Sequence, residues 1–179
     1  MTAKNAHARF MSLAAVTALI GGVAIQSNAA SCTDRGTPGE NVALVKTFYA
    51  ALDKHQPELL NKVLDEHWVD IPAAPAQGAG RDGMKGAMAG YYASFPDFHV
   101  VNEDFVAQDD KVLVRSTIRA TQRGSFAGAP PGGKAFTIMA MDLHEICHGQ
   151  VIKTWHVEDW LSGLFQMGVI PPTNAKAQP

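Results

Sequence analysis

The chain has 179 residues, of which 15 are basic, 17 are acidic and 46% are hydrophobic. This length suits one domain with a substantial apolar core. The sequence has no basic run and no alternation of aromatic and basic residues, which argues against a nucleic-acid-binding surface.

The first 29 residues have the pattern of a secretory signal peptide. Basic Lys4 and Arg9 come before the mostly apolar segment 10–25, and the small residues Ser27 and Ala29 predict cleavage after Ala29. An uncleaved membrane anchor is the alternative, but polar residues and glycines interrupt the segment, which is shorter than a usual membrane span. We therefore expect a periplasmic or secreted protein with no membrane attachment after cleavage.

Cleavage would remove two basic residues and no acidic ones, leaving 13 basic and 17 acidic residues and a net charge of −4. Cys32 allows a lipoprotein as a less favoured alternative, because the residues before it lack the expected leucine. Cys32 and Cys147 could also form one disulfide in an exported chain, and the sequence leaves that question open.

The next residues, 30–40, read as a flexible arm, followed by a domain over 41–170 and a tail over 171–179. Apolar residues at steps of three and four predict a first helix over 40–54. A short helix from Pro57, a short strand near Trp68 and a third helix over 81–95 follow. Glycines in the third helix favour close packing against a sheet, and room for a ligand is the alternative.

The second half of the chain predicts an antiparallel meander. Its strands are expected over 98–107 and 111–123 and on both sides of a tight turn near Gly149, before a last helix over 160–167. Helices followed by sequential strands indicate an α+β domain.

The last two strands carry Asp142 and His156, which could form an acid/base pair. A two-residue turn would pair Cys147 with Gln150 and place the two side chains on opposite faces. Because glycine adopts positive φ more readily than histidine, we expect instead a bulge at Gly149 that pairs Ile146 with Gln150. Asp142 would then lie opposite Thr154 and diagonal to His156, on one face.

Four segments carry a resemblance to a known family: VKTFYAAL, SFPDFHV, GSFAGAPPGG and DLHEICHGQVIKTWHVEDWLSGLFQMG. Over about residues 42–168 the chain resembles SnoaL-like polyketide cyclases, also called ester cyclases, of the nuclear transport factor 2-like fold. The resemblance implies a cone-shaped, curved antiparallel sheet with helices packed on its concave side. It also implies a possible homodimer through the outer face of the sheet.

The family closes polyketide rings by aldol condensation without a metal or cofactor, using an acidic residue on the last strand and a histidine on the strand before it. Here the two residue types are exchanged, because His156 matches the acidic position and Asp142 the histidine position. We therefore expect His156 to act as the base and Asp142 to fix its tautomer. We expect no metal, since His67, His99, His144 and His148 show no metal-binding spacing.

The family's substrate pocket lies between the first and third helices and the sheet, which predicts an apolar cavity beside the hairpin. Its expected lining residues are Phe48, Leu52, Ala87, Met88, Tyr91, Phe126, Ile138, Ala140 and Trp160.

The resulting hypothesis is an exported, cofactor-free enzyme of the cyclase or isomerase type that transfers protons on a small apolar carbonyl compound. The export signal argues against a role beside a cytoplasmic polyketide synthase. A non-catalytic protein that binds a small apolar ligand is the first alternative. An epoxide hydrolase or steroid-isomerase-like enzyme is the second.

Overall fold

The computed structural model describes residues 32–171, so the expected signal peptide and most of the tail lie outside the described residues. Helix α1 spans Pro38–Asp53. Its start is fixed by a capping box, in which the Glu40 backbone N–H donates to Thr37 Oγ1 and the Thr37 backbone N–H donates to the Glu40 carboxylate. None of the helices within this part of the chain is long and apolar enough to cross a membrane.

The remaining elements follow the predicted order, with boundaries that move by a few residues. A 3-10 turn over Pro57–Leu59 leads into a single-turn helix, α2. The other bounds are α2 Leu60–Val63, β1 Leu64–Ile71, α3 Gly80–Ser94, β2 His99–Gln108, β3 Lys111–Thr121, β4 Ala135–Cys147, β5 Gln150–Glu158 and α4 Trp160–Met167.

The five strands form one sheet in the order β1-β5-β4-β3-β2. Strands β2 to β5 form the predicted antiparallel meander. Strand β1 pairs with β5 in parallel, so the sheet is mixed rather than wholly antiparallel. The chain can make this parallel pair because one helix and three strands lie between β1 and β5 in the sequence. The parallel pair places Asp70 beside Thr154, two residues before His156.

The predicted β4–β5 turn is wrong, although Asp142 and His156 do share a face. The turn has two residues, pairs Cys147 with Gln150, and has positive φ at both His148 and Gly149, as a type I′ turn requires. A bulge does occur, but further from the turn and on β5. There, Glu145 pairs with Lys153 and Ile146 pairs with Val151, so β5 has one more residue than β4 between these two pairs. This irregularity shifts the register by one residue, so Asp142 lies directly opposite His156 and not opposite Thr154.

The inner face of the sheet forms the core with α1 and α3. Phe48 and Tyr49 of α1 are buried in the same cluster as Val112 and Val114 of β3 and Met88 of α3. The outer face is more open, and Met139 and Val157 are 50% and 65% exposed. Three polar residues of β4 and β5, Asp142, His144 and Thr154, are buried on the inner face.

A disulfide joins Cys32 to Cys147, which answers the question that the sequence left open. The bridge connects the segment before α1 to the end of β4, across 115 residues of sequence. Beside it, the His148 backbone N–H donates to the Asp34 carbonyl at 2.7 Å. The segment before α1 is thus attached to the hairpin turn by one covalent bond and one hydrogen bond.

We predict that replacing both cysteines, in a Cys32→Ser/Cys147→Ser variant, lowers the free energy of unfolding. A bridge that closes so long a loop stabilises a domain by about 2–4 kcal/mol, mainly by restricting the unfolded chain. That loss corresponds to a melting temperature lower by roughly 5–15 °C, measured by calorimetry. Reductant should lower the melting temperature of the wild type and leave that of the variant unchanged. Equal melting of both proteins in non-reducing buffer would contradict this role.

Candidate functional site

Three cross-strand pairs place polar side chains in a row on the inner face of the β4–β5 hairpin. Ala140 pairs with Glu158, Asp142 with His156, and His144 with Thr154. Because side chains alternate between faces along a strand, residues 154, 156 and 158 share the face of residues 140, 142 and 144. The sheet therefore brings two carboxylates, two imidazoles and a hydroxyl together.

His156 is held by three oxygen acceptors. Its Nδ1 lies 2.8 Å from Glu158 Oε1 on the same strand. Its Nε2 lies 2.9 Å from the Pro72 carbonyl oxygen and 3.1 Å from Asp70 Oδ1. A carbonyl can only accept, so Nε2 must carry a hydrogen. With a carboxylate against Nδ1 as well, the imidazolium is the form that satisfies both nitrogens.

The charges around His156 favour the same conclusion. Burial opposes its positive charge, but the hydrogen bonds to Asp70 and Glu158, together with their negative charges, outweigh that effect and raise the pKa of His156 to about 10. At neutral pH the ring is protonated and both N–H groups are engaged. His156 is therefore poorly placed to take a proton from a substrate.

Asp142 is buried, with 9% of its surface exposed, and its partner is Tyr49 rather than His156. The Tyr49 hydroxyl donates to Asp142 Oδ2 at 2.5 Å. Within residues 32–171, no hydrogen bond joins Asp142 to His156, so the predicted tautomer-fixing contact is not formed.

The pKa of Asp142 is raised to about 6. Burial is the main cause, and the Tyr49 hydrogen bond opposes it. The negative charges of Glu158 and Asp70 raise this pKa further, whereas the charge of His156 lowers it. Asp142 is thus ionised at neutral pH, yet far more basic than an exposed aspartate.

Further hydrogen bonds continue behind Asp142, away from His156. The Tyr49 hydroxyl lies 3.1 Å from His144 Nε2, and His144 Nδ1 lies 3.0 Å from Thr154 Oγ1. The Trp68 indole N–H donates to the same Thr154 oxygen at 3.0 Å. His144 is completely buried, which lowers its pKa to about 3 and keeps it neutral.

Asp142, His156 and Glu158 border an inner cavity of about 100 Å³. This cavity shares Tyr91, Trp160 and other lining residues with an outer cavity of about 1050 Å³. The walls of the inner cavity are mostly aromatic and aliphatic, as is usual for sites that bind small organic ligands. A ligand could place one polar end at Asp142 and extend outwards past Tyr91 and Trp160.

The predicted lining residues divide between the two cavities and the core. The inner cavity is lined by five of them, and the outer cavity adds two more. Met88 and Ile138 line neither cavity: they are 1% and 3% exposed and form part of the solid core. The inner five are Phe48, Leu52, Tyr91, Ala140 and Trp160, and the outer two are Ala87 and Phe126.

The glycines of α3 have two roles. A side chain at Gly83 would collide with the Gly78 carbonyl oxygen, so Gly83 permits close packing against a loop rather than against the sheet. Gly86 and Gly90 have open space where a side chain would begin, and both line the outer cavity. The expectation of helix–sheet packing is therefore wrong for all three glycines.

Asp142, His156 and Glu158 each place a potential metal ligand atom within 4.8 Å of the others. Both ring nitrogens of His156 already face oxygen acceptors. A metal ion could bind His156 only if the ring lost a proton and one of these bonds. The contacts therefore fit an ion-pair cluster better than a metal centre.

Sequence reasoning missed Tyr49, Asp70 and Glu158 as site residues. Glu158 had a usable signal, because it lies two residues after His156 on the same face of a strand. Tyr49 belongs to the apolar stripe of α1 and looks like an ordinary core residue. Asp70 could not be placed without the parallel pairing of β1 with β5.

Comparisons with known proteins agree with this architecture. The family model described as SnoaL-like polyketide cyclase matches residues 43–167, which is most of the chain. A search among curated proteins found no significant match.

Several solved structures are similar to this chain. TsrD from Streptomyces laurentii is 26% identical over 75% of this chain and 99% of its own, with a TM-score of 0.70. A Bacillus cereus protein provisionally described as a polyketide cyclase is 27% identical over 73% of this chain and 82% of its own, with a TM-score of 0.64. AclR from Streptomyces galilaeus, provisionally described as a hydroxylase, shares the fold at 23% identity and a TM-score of 0.67, over 78% of this chain and 87% of its own. With most of its length matched by the family model and its sheet and helices shared with these structures, the chain belongs to the SnoaL-like polyketide cyclase family, with the nuclear transport factor 2-like fold.

Proposed function

We propose that this protein is a cofactor-independent enzyme of the cyclase or isomerase type. Its chemistry would be proton transfer at a carbon next to a carbonyl group, in a small and mostly apolar compound. The observation that carries the proposal is a buried carboxylate of raised pKa, Asp142, at the wall of an apolar cavity. Perturbed acids and bases in such cavities are typical of catalytic sites.

In this proposal Asp142 is the general base, and His156 is not. A base works best when its pKa is near the working pH, and a buried carboxylate with a pKa of about 6 meets that condition. Asp142 would take the proton from the substrate carbon, and the electron pair would move to the carbonyl oxygen as an enolate. The enolate carbon would then attack a second carbonyl or regain a proton at another position.

The Tyr91 hydroxyl is the group we assign to the enolate oxygen. Tyr91 lines both cavities and is stacked with Trp160 at 6.2 Å between ring centroids. Burial, followed by the charges of Glu158 and Asp70, raises the pKa of Tyr91 to about 12, so it remains a protonated donor. A phenol that donates to a developing oxyanion stabilises the transition state for enolate formation.

His156 would act on the reaction through its charge. Its imidazolium lies between Asp70 and Glu158 and lowers the pKa of Asp142, so that Asp142 stays ionised near neutral pH. This division of work reverses the roles expected from the sequence. A non-catalytic binding protein with the same cavity remains the alternative function, and the exchange assay below separates the two.

Export is a separate proposal, which the disulfide supports. Bridges of this kind persist in oxidising compartments such as the periplasm and the extracellular space. The sulfur of Cys32 is bonded to Cys147 and could not carry a lipid at the same time, which favours a periplasmic or secreted protein over a lipoprotein.

We predict that the exported protein begins at Ala30, because the small residues before it suit a signal peptidase. Intact-mass measurement of protein recovered from the periplasm or the medium tests this, and reduction should add the two hydrogens of one opened bridge. A periplasmic chain that still begins at Met1 would refute the cleavage site.

We predict that Asp142→Asn slows exchange of an acidic α-proton into deuterated water by about 10²–10⁴-fold. The assay uses a panel of diketones and β-keto esters. Asp104→Asn, at an exposed position bonded to Arg115, is the matched control and should exchange at the wild-type rate. Equal rates in wild type and Asp142→Asn would refute the assignment, and tight ligand binding without exchange in any variant would favour the binding protein.

The wild-type exchange rate should rise with pH through a midpoint near 6, because only ionised Asp142 can accept the proton. A midpoint near 10, the pKa of His156, would instead assign the base to His156.

We predict that His156→Gln lowers stability in a way that depends on pH. Because folding raises the pKa of His156 from about 6.5 to about 10, its contribution is fully present below about pH 6.5 and is lost as the pH rises through 10. The difference in melting temperature between wild type and variant should therefore narrow from pH 6 to pH 10.5. Exposed His67→Gln is the control and should match the wild type throughout. A constant difference at all pH values would show that His156 is not held as a cation.

A further inference from the structure

The hydrogen bonds behind Asp142 form one continuous chain with a fixed direction. It runs from Trp68 through Thr154, His144 and Tyr49 to Asp142. An indole N–H can only donate, and an ionised carboxylate can only accept. The two ends of the chain therefore decide which way each intermediate group points.

The direction determines the tautomer of His144. Tyr49 donates its hydrogen to Asp142, so the contact between Tyr49 and His144 needs a hydrogen on His144 Nε2. Because His144 is neutral, Nδ1 then has a free lone pair and accepts from the Thr154 hydroxyl. The Thr154 oxygen in turn accepts from Trp68. Every hydrogen in this arrangement has an acceptor.

We propose that Tyr49 and His144 are positioning residues that hold Asp142 Oδ2 as an acceptor and leave Oδ1 as the oxygen available to the cavity. The proposal rests on the proposed role of Asp142 as the base. The network fixes the orientation of the carboxylate and favours its ionised form, because each donor in the chain strengthens the next hydrogen bond.

Reversing the hydrogen bonds between Asp142 and Thr154 would leave one hydroxyl hydrogen of the chain without an acceptor. If a protonated Asp142 donated to Tyr49, then Tyr49 would donate to His144 Nε2, and His144 Nδ1–H would point at Thr154. Thr154 Oγ1 would accept twice, and its own hydrogen would have no acceptor in the hydrogen bonds formed among residues 32–171. The network thus resists protonation of Asp142 at Oδ2, and the Tyr49 hydrogen bond, which lowers the pKa of Asp142, opposes the effect of burial.

Other groups also face Asp142 and influence its titration. They are His156 and Glu158 on β5 and Asp70 on β1, whose charges act on it directly. None of these groups belongs to the chain from Trp68 to Tyr49, so a variant in that chain should change the Asp142 titration while the three charges stay in place.

The test is a carbon-13 titration of the Asp142 carboxyl by NMR, together with nitrogen-15 shifts of His144. Tyr49→Phe keeps the ring and removes the donor, so it should raise the Asp142 midpoint by about one to two pH units. Thr154→Val interrupts the chain further from Asp142 and should raise the midpoint by less. In the wild type at pH 7, His144 should be the neutral tautomer with its hydrogen on Nε2.

Val112→Ala is the control, because Val112 is fully buried and pairs with His144 across β3 and β4 but adds no polar group. It should lower stability and leave the Asp142 midpoint unchanged. An unchanged midpoint in Tyr49→Phe, an equal shift in Val112→Ala, or a His144 hydrogen on Nδ1 would overturn the proposal.

The exchange assay on the diketone panel separates this inference from the proposed function. If the network and the proposed function both hold, the midpoint of the rise in exchange rate with pH moves to higher pH in Tyr49→Phe, together with the NMR midpoint of Asp142. If no variant exchanges protons but the midpoint still shifts, the network is real and the enzymatic proposal fails.

Discussion

The structure of the site depends on one interaction, the enclosure of His156 between the carboxylates of Asp70 and Glu158. Removing charges from water is costly, and a neighbouring cation stabilises a carboxylate that is partly removed from water. His156 supplies that cation, with an acceptor at each ring nitrogen. Because the two carboxylates contact the two ring nitrogens of His156, the ring does not bond to Asp142. Asp142 lies beside the cavity, and its hydrogen-bond donor is Tyr49. Asp142 and His156, on one face of the sheet, thereby acquire opposite charges, and the roles proposed for them differ accordingly.

Sheet topology makes this arrangement possible. The parallel pairing of β1 with β5 brings Asp70 and Pro72 to one side of His156, while the strand alternation of β5 brings Glu158 to the other. The register irregularity between Glu145 and Ile146 matters equally, since without it Asp142 and His156 would face opposite sides of the sheet. A deviation of one residue near the hairpin turn thus decides whether the site exists.

Much of this fold could be predicted from the sequence, because apolar periodicity and turn residues specify helices and strands locally. The α1 stripe, the meander and the alternation that places Asp142 on the inner face are of this kind. The roles proposed for Asp142 and His156 could not be predicted, because they depend on Asp70 and Tyr49, which are distant in sequence. The turn was also mispredicted: the low preference of His148 for positive φ was outweighed by the fit of a type I′ turn to twisted strands.

The most direct test of this account is the protonation state of His156 in the wild-type protein. Nitrogen-15 NMR of the imidazole at pH 7.5 distinguishes a ring with two N–H groups from a neutral ring with one. The account predicts that both nitrogens of His156 are protonated at this pH and remain so to about pH 9, since its pKa is about 10. A neutral His156 ring at pH 7.5 would contradict the account and restore His156 as the candidate base.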